Sequence, residues 1–417
     1  MTRLKFASFL LVTTMLTIVV RGAQTGLLGN LLTTVGTVTS TAVSSLVETV
    51  GNLPYNSHQI IVFMDGDTKS ILDVVANNNT LFGRRLSEST ESAAVQYTSN
   101  WISNTIVVLD CPLVLIERIL ALLSVKKIIY DVIITLDPPQ PTADSTSNTT
   151  TAGWGANKIK ATITHETLVN NWIGAYGWYD PAQKTATPFD ANGHGTHTMA
   201  TIVGGKGVGI APGAKWMACK ACGSSCTLSL LNACAQFMLC PTDTNGNNCN
   251  AAKAPHIVSN SWGTGQGLTY FQPMLDAWSA ARIIPVFSAG NSGANGCSSV
   301  VSPGDSAKAF SIGASDTSDA LGSFSSIGPA VNGLVKPDFI ALGMAAPHFA
   351  GTIALALSAR PGFCFDSLKE VLTSSTDRSL PTTALTCGGI SDTVFPNNEY
   401  GYGRINAQNV VNAALAY

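Results

Sequence analysis

The sequence predicts an α/β fold with a mainly parallel sheet and helices on both faces, preceded by a small α+β domain. From Trp154 onward, Gly-rich turns separate short β-rich runs from Ala-rich helices, a rhythm typical of parallel sheets with helical connections. The chain has 417 residues, enough for two or three domains, and its 45% apolar content supplies a core. Only 12% of the residues are charged, the net charge is −2, and basic residues form no run longer than a pair, which argues against nucleic-acid binding.

The N-terminus has the pattern of a secretory signal peptide, which we assign to residues 1–22. Arg3 and Lys5 precede an apolar stretch, and Val20-Arg21-Gly22 offers a cleavage site. A membrane anchor is the alternative, but about 15 apolar residues are fewer than the roughly 20 that span a bilayer. A secreted, extracellular protein with no membrane partner is therefore expected.

Two further regions precede residue 154. Residues 23–57 are a Thr- and Ser-rich leader without a titratable cluster. Residues 58–137 alternate between element types, which predicts a small domain able to fold alone; its strands are expected at 60–63, 105–109 and 128–136, and its helices at 70–76 and 112–123. The polar, Pro-containing residues 138–153 read as an exposed linker to the last domain, residues 154–417.

His194 is the first candidate for catalysis. It lies between Gly193 and Gly195 and is followed by small residues, so we expect it at the start of a helix with its ring uncovered, as a general base requires. Because His197 follows three residues later, surface histidines or metal ligands are the alternative reading, with metal the weaker of the two.

Asn291 is the second candidate. It follows the apolar run 284–287 and has Gly290 before it and Ser292-Gly293 after it, so we expect a strand that ends in a tight turn with the amide free to donate to an oxyanion. Ordinary turn chemistry explains the same pattern.

Resemblance to a known family extends these assignments. Gly193-His194-Gly195-Thr196-His197 resembles the histidine motif of subtilisin-like serine proteases. Segments 207–214, 257–263, 284–293 and 324–338 are similar to that family's other motifs in order and approximate spacing, so the resemblance covers roughly residues 154–417.

The resemblance implies a subtilisin-like fold and hydrolysis of polypeptide substrates by Ser/His/Asp acyl transfer. It makes His194 the general base and Asn291 the oxyanion donor, and it gives Ser261, Trp262 and Gly263 a substrate-binding role, although the Trp262 indole could equally serve packing. Structural calcium is possible by family, and no other cofactor is expected. Residues 58–137 resemble the family's inhibitory propeptide in size and element order, which makes the protein's own propeptide a predicted partner.

Two members of the triad are missing from this pattern. No Asp occurs between Asp144 and Asp180, where the family's Asp ends a buried strand. The family's Gly-Thr-Ser-Met-Ala-x-Pro-His is matched by residues 341–348, in which Gly343 stands at the position of the nucleophilic Ser. We do not expect rescue by Asp180, Asp190, Ser325 or Ser326.

The ten cysteines point to an oxidising compartment, since nine of them follow position 218. The eight after Cys219 are compatible with up to four disulfides of open connectivity, which would leave Cys219 as a buried thiol. A zinc site from Cys219, Cys222 and Cys226 is a weaker reading, because no paired second knuckle accompanies them.

Three hypotheses for function stay open. The first is a secreted serine endopeptidase whose sequence has lost two internal segments, for example through faulty intron assignment. The second is a degenerate, non-catalytic pseudoprotease that acts as a secreted binder or decoy. The third is a non-enzymatic protein that keeps its propeptide bound.

Overall fold

The structure is a computed structural model that describes residues 58–64, 97–111, 119, 125–136 and 165–417. These residues divide into two compact units, 58–99 with 104–131, and 100–103 with 132–417. The predicted signal peptide, leader, helix at 70–76 and linker lie outside the described residues, as does the predicted helix at 112–123 apart from Ile119. No helix among the described residues is long and apolar enough to cross a membrane.

The first unit is built around an antiparallel sheet with the strand order β2-β3-β1-β4. Its strands are β1 (His58–Met64), β2 (Tyr97–Asn100), β3 (Thr105–Cys111) and β4 (Val125–Tyr130). The central strand β1 pairs with both β3 and β4, which explains why Ile60, Ile61 and Val62 are fully buried. Strands therefore occur at two of the predicted positions, and the third apolar run divides between β4 and the next strand.

The second unit alternates strands and helices, as an α/β fold does. Its strands are β5 (Ile133–Thr135), β6 (Trp178–Tyr179), β7 (Ala218–Cys219), β8 (Ser225–Thr227), β9 (Ile257–Asn260), β10 (Ile284–Ser288), β11 (Phe310–Ser315), β12 (Phe339–Leu342), β13 (Thr386–Cys387) and β14 (Ile390–Ser391). Its helices are α1 (His194–Val203), α2 (Leu228–Leu239), α3 (Gln272–Ala280), α4 (Ala345–Ala359), α5 (Phe365–Ser374) and α6 (Ala407–Ala416).

The largest sheet of this unit is parallel, with the order β12-β11-β10-β9. Its inner strands are buried on both faces, so they consist almost entirely of apolar and small residues. Helix α4 packs on one face, where Phe349 meets Phe310 and Phe339. Phe287 points to the opposite face and contacts Trp262 edge-on. This sheet places β9 at an edge, next to the candidate site.

A second parallel pair consists of β6 and β7, and residues of both strands line the candidate site. Residues Trp178 and Tyr179 pair with Ala218 and Cys219. Between β7 and β9 the chain passes through the short strand β8 and then helix α2. Two antiparallel pairs, β5 with β8 and β13 with β14, complete the sheets.

The disulfides correct one sequence-based expectation. Cys219 is not a buried thiol, because its sulfur bonds Cys234 where the end of β7 meets α2. The other pairs are Cys222–Cys226, Cys240–Cys249 and Cys297–Cys387, so the three cysteines considered for zinc are all in disulfides. Among the described residues the free thiol is Cys364, which is exposed and caps helix α5.

Candidate active site

His194 is the first residue of helix α1, as predicted. Gly193 before it has φ 85°, a left-handed conformation that glycine adopts without strain. The Asp190 carboxylate caps the helix: Oδ2 accepts hydrogen bonds from the Thr196 backbone N–H (2.8 Å) and hydroxyl (2.7 Å), and Oδ1 accepts from the N–H groups of Asn192 and Gly193. Four neighbouring groups thus fix the backbone that carries the imidazole.

The surroundings of the His194 imidazole favour its neutral form, because its pKa is lowered. Partial burial lowers its pKa below the ordinary 6.5, the Asp190 charge opposes that shift, and neighbouring His197 adds to it. Among the described residues, no side chain forms a hydrogen bond with the ring. The ring can therefore accept a proton, but no carboxylate of the described residues holds its tautomer.

Asp190 does not supply that carboxylate. Burial alone would raise the pKa of Asp190, but the hydrogen bonds from Thr196, Asn192 and Gly193 lower it below its ordinary value. Both oxygens are committed to capping the helix, so the charge acts on His194 only through space. Asp180 has a similar local role, because Oδ1 accepts from the N–H groups of Ala182 and Gln183.

His194 lines a cavity of about 930 Å³ together with Ser261 and Trp262. These two residues directly follow β9, so the sheet delivers them to the histidine. The Ser261 hydroxyl is buried without a hydrogen-bond partner among the described residues. The Trp262 ring packs 5.2 Å from Phe287 and 5.6 Å from Phe271, centroid to centroid. Trp262 therefore has the packing role that its sequence context also allowed, while one part of it forms the cavity wall.

Gly263 and Asn291 lie outside the lining of that cavity, yet the structure connects both to one side chain. A Cβ at Gly263 would collide with Val301, and a Cβ at Gly290 would lie 2.9 Å from the same side chain. Val301 therefore packs between the segment after β9 and the turn that carries Asn291. Glycine is required at both positions by this close approach.

The turn at Asn291 is held by backbone and hydroxyl groups. Gly290 has φ 109°, its carbonyl accepts from the Ser326 N–H (3.0 Å), and the Ser326 hydroxyl accepts from the Ser292 N–H (3.0 Å). The Asn291 amide has no partner among the described residues, so it is free to donate. Ser325 is likewise structural, since its hydroxyl accepts from the Ala314 N–H.

The position of the expected nucleophile holds no hydroxyl. Strand β12 ends at Leu342, Gly343 follows with φ 51°, and helix α4 begins at Ala345. The Gly343 N–H donates to the Ser315 carbonyl (3.0 Å), which fixes the chain as it leaves the sheet. From 341 to 346 the residues are Ala, Leu, Gly, Met, Ala and Ala, so no side chain here can attack a carbonyl.

Calcium would require a group of oxygen ligands, usually including several carboxylates. No three His, Cys, Asp or Glu side chains cluster into a possible metal site within the described part of the chain. Asp243, in an Asn-rich loop, is already satisfied by the N–H groups of Asn245 and Asn247 and the amide of Asn248. No chemistry is therefore assigned to a metal.

His194 at the start of α1 and Asn291 shortly after the parallel strand β10 both belong to one α/β unit. The model of the subtilase family matches residues 158–403, which is more than half of the chain, so the chain belongs to this family. The resemblance seen in the sequence and the predicted α/β class are thereby confirmed.

Curated relatives include several proteases. The chain is 34% identical over 270 residues to Bacillopeptidase F of Bacillus subtilis, an alignment that covers 57% of this chain and 18% of that protein. It is 29% identical over 295 residues to the serine protease AprX of the same organism, covering 56% and 61%. Subtilisin Savinase of Lederbergia lenta is 29% identical over 236 residues, covering 52% and 77%. The chain thus spans less than two thirds of the first two relatives.

Proposed function

We propose that this protein is, by family, a secreted subtilisin-like serine endopeptidase whose present sequence keeps the peptide-binding cleft but cannot carry out acyl transfer. The observation that carries the proposal is the glycine at position 343, between β12 and α4, where the nucleophilic hydroxyl is expected. The absence of an Asp between Asp144 and Asp180 supports it from the other side of the cleft.

The reaction needs a hydroxyl that attacks the peptide carbonyl, a histidine that takes its proton, a carboxylate that orients the histidine, and donors that stabilise the oxyanion. In this proposal His194 can accept the proton because its surroundings favour the neutral imidazole, and the free Asn291 amide can donate to the carbonyl oxygen. Ser261, Trp262 and Gly263 would hold the peptide backbone beside His194. Without the hydroxyl and the carboxylate, these groups can bind and polarise a peptide but cannot form an acyl intermediate.

A second candidate is a pseudoprotease that acts as a secreted binder or decoy. The observation in its favour is that the structural support of the cleft is retained, including Val301 between Gly263 and Gly290 and the Ser326 hydrogen bond beneath the Asn291 turn. A chain that had lost its function altogether would have no need of this support.

Residues 58–137 are the proposed propeptide. Because maturation in this family is autocatalytic, a chain without Ser and Asp should keep this domain attached unless another protease cleaves the linker. Purified full-length protein is expected to stay intact on incubation, as judged by intact mass. Self-trimming within residues 140–153 would contradict the proposal.

Sequencing the transcript across codons 155–166 and 338–346 separates the two candidates. Additional coding sequence at both places would identify an active endopeptidase whose two segments are missing here. No additional sequence would favour the binder, which should then bind a casein-derived peptide in calorimetry without cleaving it. Cleavage by the chain with this sequence would overturn both.

A further inference from the structure

Glu399 is a buried carboxyl group that takes no part in the candidate site. Its exposed fraction is 0%. Oε1 accepts a long hydrogen bond from the Cys387 backbone N–H (3.4 Å), and Oε2 has no hydrogen-bond partner among the described residues. An ionised carboxyl group in such surroundings loses its water without gaining enough donors in exchange. The local structure therefore favours the protonated form of Glu399.

The charge of Asp392 adds to this effect. Its carboxylate accepts hydrogen bonds from the Thr382 hydroxyl (2.7 Å), the Thr383 hydroxyl (3.0 Å) and the Ala384 backbone N–H (3.0 Å). These bonds lower the pKa of Asp392, so this group keeps its negative charge. Burial is the main cause that raises the pKa of Glu399, and the Asp392 charge acts in the same direction.

The other titratable groups of this region do not offset that charge. Lys336 lies close by, since its backbone N–H donates to the side chain of the residue before Glu399, but its ammonium pairs with Asp338 (2.6 Å). Tyr400 follows Glu399, and burial raises the pKa of its phenol, so the hydroxyl stays uncharged. Within the described part of the chain, no Lys, Arg or His side chain forms an ion pair with Glu399. Its ionisation would therefore add a second carboxylate near Asp392 without a counter-charge.

Backbone hydrogen bonds connect the Glu399 segment to the loop that follows Asn291. The Asn398 carbonyl accepts from the Gly328 N–H (2.8 Å), and the Gly328 carbonyl accepts from the Ser298 N–H (2.9 Å). Ser298 belongs to the loop after Asn291. The position of this loop therefore depends on the backbone next to Glu399.

A disulfide makes a second connection to the same loop. Cys387, whose N–H donates to Glu399, is bonded to Cys297 in the loop after Asn291. The Asn398 side chain donates to the Cys387 carbonyl (2.9 Å), so the residue before Glu399 also holds this cysteine. A displacement of the Glu399 segment would therefore reach the loop through a covalent bond as well as through backbone hydrogen bonds.

We propose that Glu399 is a pH-sensitive switch, whose protonation holds residues 386–400 in place and whose ionisation loosens both this segment and the loop after Asn291. Because the pKa of Glu399 in the folded chain lies above the ordinary 4.5, the folded protein binds more protons than the unfolded chain between these two values. The stabilisation is complete below pH 4.5 and is lost as the pH rises through the folded pKa. The switch goes beyond the proposed function, since it requires neither a nucleophile nor His194.

Hydrogen exchange of the purified full chain, corrected for the chemical exchange rate, measures the switch from about pH 5 to about pH 8. We expect protection at residues 296–301 and 386–400 to fall by at least about tenfold across this range, which corresponds to one pKa unit. Glu399→Gln keeps the size of the side chain and removes its charge, so it should keep the higher protection at every pH. Glu370→Gln, at an exposed glutamate of helix α5, is the matched control and should keep the native pH dependence.

Carbon-13 NMR of the carboxyl groups in the native chain tests the same proposal without depending on how a variant folds. The Glu399 carboxyl should titrate with a pKa above the ordinary 4.5. A Glu399 carboxyl that titrates at or below 4.5 would overturn the proposal, and so would a folded Glu399→Gln variant with the native pH dependence. Loosening that is confined to residues 386–400 would overturn the connection to the loop after Asn291.

Discussion

Two halves of the second unit are stabilised in different ways. The half around β9–β12 and α4 has a continuous core, in which Phe310, Phe339 and Phe349 pack against one another. The half around β6, β7 and α1 has a small buried cluster, Leu168, Val203 and Trp216. Of the four disulfides among the described residues, three lie within residues 219–249, from the end of β7 to the segment after α2.

Asn291 and His194 are held in place by different interactions. Asn291 lies on the half with the large core, and packing positions it through Val301. His194 lies on the half with the short sheet, where the Asp190 carboxylate caps its helix and Cys219 and Cys222, both in disulfides, line the same cavity. Variants in the two halves should therefore fail for different physical reasons.

The largest loss of stability is expected from a variant in the well-packed half, around β9–β12 and α4. Phe349→Ala removes a fully buried ring from the centre of that core and should lower the free energy of unfolding by about 3–5 kcal/mol. Val331→Ala, at a side chain that is 66% exposed, is the control and should change it by less than about 0.5 kcal/mol. Urea unfolding of both variants measures the difference, and equal losses would contradict the assigned core.

In the other half, removal of the Cys219–Cys234 disulfide by a double Cys→Ser change should cost about 3 kcal/mol, since it closes a loop of 15 residues. The same change at Cys222–Cys226, which are four residues apart, should cost less because the closed loop is shorter. Thermal melts with and without reductant test whether loss of the Cys219–Cys234 disulfide destabilises the protein more than loss of Cys222–Cys226. A larger loss for the short loop would show that chain entropy does not govern this half.

Loss of the helix cap should have a smaller effect on stability. Asp190→Ala leaves the first turn of α1 without its acceptor and should cost about 1 kcal/mol. Because the Asp190 charge raises the pKa of His194, the same variant should also lower that pKa further. Imidazole titration by NMR checks this second effect. A rise in the His194 pKa in folded Asp190→Ala would contradict the arrangement.

The smallest expected effect is the contribution of His194 to the pH dependence of stability. Its pKa in the folded protein lies below the unfolded value of about 6.5, so the unfolded chain binds more protons between the two values. Stability should therefore be unaffected by this group above pH 6.5 and should fall as the pH drops from there towards the folded pKa. His194→Gln should flatten that part of the urea-midpoint profile, and an unchanged slope would be evidence against a lowered pKa.

Local patterns in the sequence are sufficient to predict several features of the structure. The glycines around His194 predict the helix start, because glycine readily adopts the left-handed conformation that precedes it. The α/β class follows from the same alternation of elements. Each of these depends on residues that are neighbours along the chain.

Features that depend on distant contacts could not be predicted. The pairing of Cys219 with Cys234 requires β7 to meet α2, which no spacing rule encodes. The role of Val301 between Gly263 and Gly290 joins three separate segments. Asp190 is different, because an Asp shortly before a helix start is a recognisable capping signal that the triad comparison obscured.

The central claim is that the chain with this sequence has a cleft but no nucleophile. The most direct test treats purified full-length protein with a fluorophosphonate serine probe, beside a version in which the two missing segments are restored and a restored His194→Ala variant. We expect labelling of the restored protein alone, with the His194→Ala change abolishing it. Labelling of the unrestored chain, lost on His194→Ala, would show that another serine acts as nucleophile and would contradict the claim.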